Sequence, residues 1–335
     1  MRVSVELREA CKISPFMSTP TTSTAAAKAT KLEQTLRTII RGKDEVVRMA
    51  LVAIFARGHL LIEGVPGVGK TTLGHAVARA MDVNFQRVQF TSDMLPSDVL
   101  GISVYSTVEQ KFEFKRGPIF TNVLLADEIN RTTPKTQSAL LEAMNENQVT
   151  VDGRSYGLPD PFLVIATQNP VEHHGTYPLP ESQMDRFLIR ARMSYPDATA
   201  EREVLRAKAG AARLEDIRSV LNGNDVLAMQ EEVKAVRVDE SLVDYALRIV
   251  QRTRESQHLS LGVSPRGSLM LYRSAQAMAF LDGRTFCTPE DFKLLAVPVF
   301  AHRVVVSARY SSTLRKSEQS DEVLRDIVES VPVPV

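Results

Sequence analysis

The stretch HLLIEGVPGVGKTT, residues 59–72, constrains this chain more strongly than any other part of it. Its apolar start predicts a strand, its glycines predict a turn, and the residues after Gly69 predict the beginning of a helix. Residues 64–71 fit the pattern G-x-x-x-x-G-K-[ST], in which backbone N–H groups and the positive end of a helix surround a phosphate. An ordinary strand–turn–helix with chance glycines is the alternative, and the matching flanks argue against it.

The side chains of this loop have distinct expected roles. Lys70 would reach the β- and γ-phosphates of a nucleotide, and the Thr71 hydroxyl would hold Mg²⁺. We therefore predict a nucleotide-binding loop that consists of Gly64, Val65, Pro66, Gly67, Val68, Gly69, Lys70, Thr71 and Thr72.

A second feature is VLLADE at residues 123–128. The continuous apolar run predicts a strand of a parallel sheet that is buried on both faces. It ends in Asp127 and Glu128, and ligands of open α/β sheets bind at the carboxyl ends of strands. With the loop upstream, we predict that Asp127 orients the Mg²⁺ shell through water and that Glu128 is the base that polarises the attacking water. Taken alone, such a run marks only the end of a strand.

Three further polar residues are candidates for the same site. Asn169 follows an apolar strand predicted at residues 162–167, where its amide could contact the γ-phosphate or position the water, although Asn-Pro by itself signals a turn. Arg186 carries the planar guanidinium that suits a phosphate and could act from a neighbouring subunit, with a surface ion pair as the plainer alternative. Arg266 lies in the first turn of a predicted helix and could close over a nucleotide, with a solvated arginine as the alternative.

The rest of the pattern predicts an α/β part followed by a helical part. We predict a disordered tail at residues 1–29, an α/β unit at residues 30–195 and an α-helical unit at residues 196–335. Alternation predicts a hairpin within residues 102–114, and an Asp-Gly turn predicts another at residues 148–158. Helices without further strands are predicted at residues 198–211, 225–233, 241–257, 265–281 and 289–300.

Composition narrows the functional classes. The 335 residues carry a formal net charge of +1, which provides no overall field for nucleic acid or an anionic membrane. Two cysteines give neither a disulfide framework nor metal-site spacing, which suits a reducing compartment. The longest apolar run is too short to span a bilayer and the N-terminus lacks the apolar part of a signal peptide. We therefore predict a cytoplasmic protein without membrane insertion.

Four passages carry a closer resemblance: GVPGVGKT, LLADEINRTTPKTQSALLEAMNENQVTVDG, IATQNPVEHHGTYPLPESQMDRFLIR and SPRG. With them the chain resembles the MoxR family of AAA+ ATPases, from about Ile39 to the C-terminus. The second passage is the most specific, because generic phosphate loops do not carry it. The resemblance implies an α/β fold: a P-loop AAA+ core with a parallel β-sheet sandwiched by helices, followed by a smaller all-α lid domain.

The resemblance also implies roles for single residues. The hairpin within residues 102–114 matches the family's helix 2 insert, and that at residues 148–158 matches its pre-sensor 1 hairpin. Arg131 could face a neighbour's nucleotide. The matched positions are Lys70 and Thr71 for Walker A, Asp127 and Glu128 for Walker B, Asn169 for sensor 1, Arg186 for an arginine finger that acts on the adjacent subunit's ATP, and Arg266 for sensor 2 on the lid.

The implied activity is hydrolysis of the β–γ phosphoanhydride of ATP with Mg²⁺. The family forms ring-shaped oligomers, which implies a hexamer of this chain that remodels or matures partner proteins. Partners with von Willebrand factor A domains, and metal or cofactor insertion as the outcome, follow from the family alone. The alternatives are a nucleic-acid motor, which Lys111, Lys115 and Arg116 would favour and the net charge opposes, a small-molecule kinase, and a binding module switched by ATP.

Overall fold

The computed structural model describes residues 24–169, 176–195, 198–199, 201–202, 214–308 and 316–334. Most of the predicted disordered tail lies outside these residues. Residues 24–29 contradict that prediction, because the first helix begins at Thr24. Ala26 and Ala29 are buried there, and this packing stabilises a helix start whose Ala- and Thr-rich composition gave no apolar periodicity.

The helices within the described residues run as follows. They are α1 (Thr24–Ile39), α2 (Asp44–Phe55), α3 (Lys70–Ala80), α4 (Pro96–Leu100), α5 (Pro134–Glu146), α6 (Glu181–Met184), α7 (Gly223–Lys234), α8 (Glu240–Glu255), α9 (Pro265–Leu281), α10 (Pro289–Phe300) and α11 (Lys316–Ser330).

The strands within the same residues are mostly short. They are β1 (Leu60–Gly64), β2 (Phe85–Gln89), β3 (Gly101–Ser106), β4 (Lys111–Arg116), β5 (Val123–Asp127), β6 (Gln148–Val151), β7 (Arg154–Gly157), β8 (Leu163–Gln168), β9 (Ile189–Met193), β10 (Leu259–Leu261) and β11 (Val305–Val306).

Five of these strands form one parallel sheet in the order β2-β5-β8-β1-β9. Alternate residues of β5 pack into two different cores, with Leu125 on one face of the sheet and Leu124 on the other. Both faces are therefore covered, which explains why the central strands are continuous apolar runs rather than alternating ones. The predicted α/β fold with a buried parallel sheet is confirmed.

The edge strand β9 is absent from the sequence-based prediction. Ile189, Ala191 and Met193 are buried, but charged residues interrupt the apolar pattern. Arg190 is also buried, between Glu63 of β1 and Asp321 of α11. A buried charge is tolerated only when it is paired, and its partners lie far away in sequence. No local pattern could therefore have predicted this strand.

Both predicted hairpins are present, each as a two-stranded sheet of its own. Strands β3 and β4 pair from Gly101 with Arg116 to Ser106 with Lys111, and β6 and β7 form the shorter hairpin. The rings of Phe114 and Tyr156 stack with their centroids 4.1 Å apart. The two hairpins are thus in direct contact with each other.

The C-terminal part is built from α7 to α11. Four of its predicted helices lie within two residues of the observed ends, while most of the predicted helix at residues 198–211 lies outside the described residues. The prediction of no further strands is wrong, because β10 pairs with β11 in an antiparallel ladder. Strands this short leave no alternation to read. Among the described residues, none of the helices is long and apolar enough to cross a membrane.

Candidate active site

The carboxyl ends of three strands bring the predicted site together. Glu63 of β1 lies opposite Gln168 of β8, and Gln89 of β2 lies opposite Asp127 of β5. The loop after β1, the carboxylates that end β5 and Asn169 after β8 therefore share one edge of the sheet. This is the edge at which open parallel sheets bind ligands.

The loop between β1 and α3 has the conformation that its glycines permit. Gly67 and Gly69 have φ angles of 81° and 99°, in the left-handed region that favours glycine. Gly64 is needed for a different reason, since a Cβ there would lie 2.4 Å from the Met193 carbonyl oxygen. Lys70 is buried and its Nζ donates to the Gly64 carbonyl oxygen at 2.7 Å, so it lies back across the loop.

The loop fits a phosphate group. Helix α3 begins at Lys70 with Gly69 as its N-cap, and its first turn contains no acidic residue. The positive end of an 11-residue helix therefore faces the loop without a carboxylate to neutralise it. Val65 to Gly69 are exposed or half-buried, so their backbone is open to a ligand.

Asp127 is held by two neighbours. The Thr167 hydroxyl donates to its Oδ1 at 2.6 Å, and Arg87 donates to its Oδ2 at 2.7 Å. Each carboxylate oxygen keeps lone-pair capacity beside these bonds. That arrangement suits a contact to hydrated Mg²⁺ through water, with the Thr71 hydroxyl as the second oxygen donor, since Mg²⁺ prefers oxygen ligands and retains several waters.

Glu128 has a strained backbone. Its φ of 57° is unusual for a residue other than glycine, and its N–H donates to the Thr167 hydroxyl oxygen at 2.9 Å. Strain of this kind costs about 1–3 kcal/mol and persists where the surroundings hold it. The carboxylate accepts from the Gln89 amide at 2.7 Å and lies 3.2 Å from the Arg131 guanidinium. Arg131 thus contacts Glu128 of its own chain.

The remaining predicted residues divide into two groups. Asn169 is buried directly after β8, the strand that pairs with β5. Arg186 donates from Nη1 to the Leu141 carbonyl oxygen in α5 at 2.8 Å. Arg266 is half exposed, and its Nη1 lies 3.8 Å from Asp185. In the described conformation, the contacts of both arginines are therefore with residues outside the loop.

Sequence reasoning missed Arg87, Gln89 and Thr167. Arg87 donates to Gln89 at 2.8 Å as well as to Asp127, so one network links β2 to both carboxylates. The available signal was two polar residues in a short strand, at alternate positions on one face of the sheet. Thr167 gave no such signal, because it is a single hydroxyl residue at the end of an apolar run.

Comparison with known proteins identifies the chain. The family described as "ATPase family associated with various cellular activities (AAA)" matches residues 59–189, and the AAA lid domain matches residues 251–327. Chaperone MoxR1 of Mycobacterium tuberculosis is 38% identical over 321 residues, which cover 92% of this chain and 84% of that protein. The chain belongs to the MoxR family of AAA+ ATPases.

Other similar proteins agree with this result. YeaC of Bacillus subtilis is 46% identical over 305 residues, covering 91% of this MoxR-family chain and 94% of YeaC. Protein MoxR of Methylorubrum extorquens is 31% identical over 91% of this chain and 95% of its own length. A crystal structure of a provisionally assigned ATPase from Cytophaga hutchinsonii has a TM-score of 0.84 at 36% identity and covers 93% of this chain and 96% of its own.

These findings confirm the fold and the general activity. The chain combines an AAA nucleotide-binding core with an AAA lid, and it is a nucleotide-binding ATPase. Of the alternatives considered from sequence, an ATP hydrolase is therefore favoured over a small-molecule kinase and over a binding module switched by ATP.

Proposed function

We propose that this MoxR-family ATPase hydrolyses ATP with Mg²⁺ in a ring-shaped homo-oligomer, which the family resemblance implies is a hexamer. We further propose that hydrolysis drives remodelling or maturation of partner proteins. The observation that carries the hydrolytic part is the convergence of the phosphate loop, Asp127, Glu128 and Asn169 at one sheet edge. The chaperone relative supports the remodelling part. Partners with von Willebrand factor A domains, metal or cofactor insertion, and a cytoplasmic location rest on the predictions made from sequence.

In this proposal the chain's residues have separate roles. Backbone N–H groups of residues 64–71, apart from Pro66, and the Lys70 ammonium would hold the phosphates, while Thr71 and Asp127 would hold the metal, Asp127 through water. Mg²⁺, when bound, neutralises charge on the β- and γ-phosphate oxygens. Glu128 accepts a proton from the water that attacks the γ-phosphorus, as the bond to the bridging oxygen breaks and ADP leaves. Asn169 orients that water, and Arg266 reaches the phosphates from the lid.

Arg186 is proposed to act on a neighbour's ATP. Its guanidinium contacts α5 in the described conformation, and its Nε is buried without a hydrogen-bond partner among the described residues. A buried donor without a partner is costly, which supports a conformation in which this guanidinium binds an anion instead. A guanidinium supplied by an adjacent subunit stabilises the charge of the transition state and raises the rate of hydrolysis by about 10³–10⁵-fold.

The test is subunit mixing. Glu128→Gln lacks the base but keeps Arg186, and Arg186→Ala keeps the base but lacks the guanidinium. Each alone should hydrolyse ATP at least about a hundredfold more slowly than the wild type. A mixture should regain activity, because an intact Glu128 then meets an intact Arg186 across an interface. A mixture that is no more active than its components would contradict the proposed oligomeric site.

Exposed aromatic and basic residues on the β3–β4 hairpin favour a second candidate, a nucleic-acid motor. Phe112 is 69% exposed beside Tyr105, and Lys111 and Lys115 are exposed on the same hairpin. Stacking rings with cations suit single-stranded nucleic acid. Stimulation of ATP turnover by single-stranded DNA that disappears as salt is raised would favour the motor, whereas turnover that DNA leaves unchanged favours protein partners.

A further inference from the structure

One arginine of the lid holds the core segment that carries Arg186. Arg303 follows α10, and its side chain is 1% exposed. Its Nε donates to Asp185 Oδ1 at 2.9 Å, and Nη2 donates to the Asp185 carbonyl oxygen at 3.3 Å. Nη1 donates to the Leu188 carbonyl oxygen at 3.3 Å, and Nη2 also contacts that of Phe187. A single guanidinium thus binds the chain on both sides of Arg186.

The packing around Arg303 leaves this side chain little freedom. A Cβ on Gly267 of α9 would lie 3.2 Å from the Arg303 Cδ, so the glycine permits the close approach of the helix. The neighbouring His302 donates from Nε2 to the Phe187 carbonyl oxygen at 2.9 Å. Burial lowers the pKa of Arg303 to about 10, while Asp185 opposes that shift, so the buried guanidinium is cationic at neutral pH and depends on Asp185 as its counter-ion.

Asp185 is shared with a second arginine of the lid. While Oδ1 accepts from Arg303, Oδ2 lies 3.8 Å from Arg266 Nη1. The Arg266 side chain is half exposed in the first turn of α9, whereas the Arg303 side chain is enclosed. If Arg266 turns to the phosphates in its own subunit, Asp185 loses that cationic neighbour and keeps Arg303. The charge around the residue beside Arg186 therefore depends on where the Arg266 side chain lies.

We propose that Asp185 and Arg303 are positioning residues that make the placement of Arg186 depend on the lid of the same subunit. Arg186 is then aimed at the nucleotide of a second copy of this chain only when the lid holds the segment of residues 185–188. The inference rests on the proposed function, in which Arg186 acts across an interface. Nucleotide engagement by one lid would in this way prepare the next site in the ring.

The test places Asp185→Asn in one member of the complementing pair at a time. The Glu128→Gln subunit donates Arg186, and the Arg186→Ala subunit supplies the working base. Asp185→Asn in the donor should reduce the turnover regained on mixing by at least about tenfold, since a displacement of about 1 Å can cost a hundredfold. The same substitution in the acceptor should reduce the regained turnover by a smaller factor, because the acceptor's own Arg186 is already absent and only the contact of Asp185 with Arg266 is lost there.

Arg303→Lys provides a second donor variant, which keeps the charge but loses the planar fork, and it should act in the same direction as Asp185→Asn. The melting temperature and the size of the assembly are measured for every mixture. These controls ensure that only folded and assembled proteins are compared. Suppose that the parent mixture regains activity. Equal losses of turnover from Asp185→Asn in the donor and in the acceptor, or no loss from either, would then overturn the inference. Failure of the parent mixture itself would instead overturn the proposed function.

Discussion

At the scale of single residues, Thr167 links the two carboxylates of the active site. Its hydroxyl donates to Asp127 and accepts from the Glu128 N–H, and the residue is fully buried. One side chain therefore fixes both the carboxylate proposed to hold Mg²⁺ and the positive φ of the proposed base. The bond to Asp127 is buried and the bond from the Glu128 N–H is partly buried, so the loss of the hydroxyl leaves polar groups that water replaces poorly.

Thr167→Val should separate these effects from packing. Valine has nearly the same shape but leaves Asp127 without its donor and the Glu128 N–H without its acceptor, so we expect stability to fall by about 1–3 kcal/mol. ATP turnover should fall by about tenfold or more, because the base loses its fixed orientation. Thr167→Ser keeps the hydroxyl and is the matched control. Urea denaturation and steady-state turnover of both variants measure the outcome, and equal turnover in Val and Ser variants would contradict the role of the hydroxyl.

At the scale of elements, the sequence predicted whatever has a local cause. Residues within a few positions of one another predicted the turn at Gly69, the apolar run before Asp127 and the Asp-Gly hairpin. Strand β9 was not, because its buried Arg190 is balanced by Asp321 from the last helix. Similarly, Arg87 and Gln89 became part of the site only through the pairing of β2 with β5. Local sequence patterns do not predict contacts between segments that are far apart in the sequence.

The start of β1 is another such contact. His59 is buried immediately before β1, where Nδ1 accepts from the Val164 N–H in β8 and Nε2 donates to the Met144 carbonyl oxygen in α5, both at 3.0 Å. Burial lowers the pKa of His59 to about 4 from 6.5. The neutral imidazole thereby ties a strand to the adjacent strand and to a helix.

This arrangement predicts a specific pH dependence. Because the pKa of His59 is lower in the folded than in the unfolded chain, its contribution to stability is complete above pH 6.5 and is lost as the pH falls towards 4. Between pH 7 and pH 5 the wild type should lose about 2 kcal/mol of unfolding free energy through this group. His59→Gln can keep both hydrogen bonds without titrating, so its loss over that interval should be smaller by about the same amount.

Urea denaturation of both proteins at the two pH values measures this difference. His302 is also buried, and burial holds its pKa well below the usual range, so it contributes in the same direction in both proteins and cancels in the comparison. Parallel pH profiles for the wild type and His59→Gln would contradict a titrating role for His59.

At the scale of the whole molecule, core and lid share one apolar interior. The same buried cluster contains Leu36 of α1, Ile62 of β1 and Leu324 of α11. Polar contacts add to it, including the ion pair of Arg190 with Asp321 and the contacts of Arg303 with residues 185–188. A lid attached in this way can transmit its position to the core, which the inferred control of Arg186 requires.

The phosphate loop that first marks this chain is, in our account, one side of a composite site. The loop, Asp127, Glu128 and Asn169 come from one core, Arg266 comes from its lid, and Arg186 comes from another subunit. In this account, the site of a single chain lacks one cation that would stabilise the transition state.

The most direct test is ATP turnover per subunit of the wild type, measured against protein concentration together with the mass of the species in solution. We predict that turnover per subunit rises as the chains assemble and reaches a plateau when assembly is complete, and that Arg186→Ala assembles equally well but stays slow at every concentration. Turnover per subunit that is independent of concentration down to the monomer, with Arg186→Ala fully active, would contradict the account.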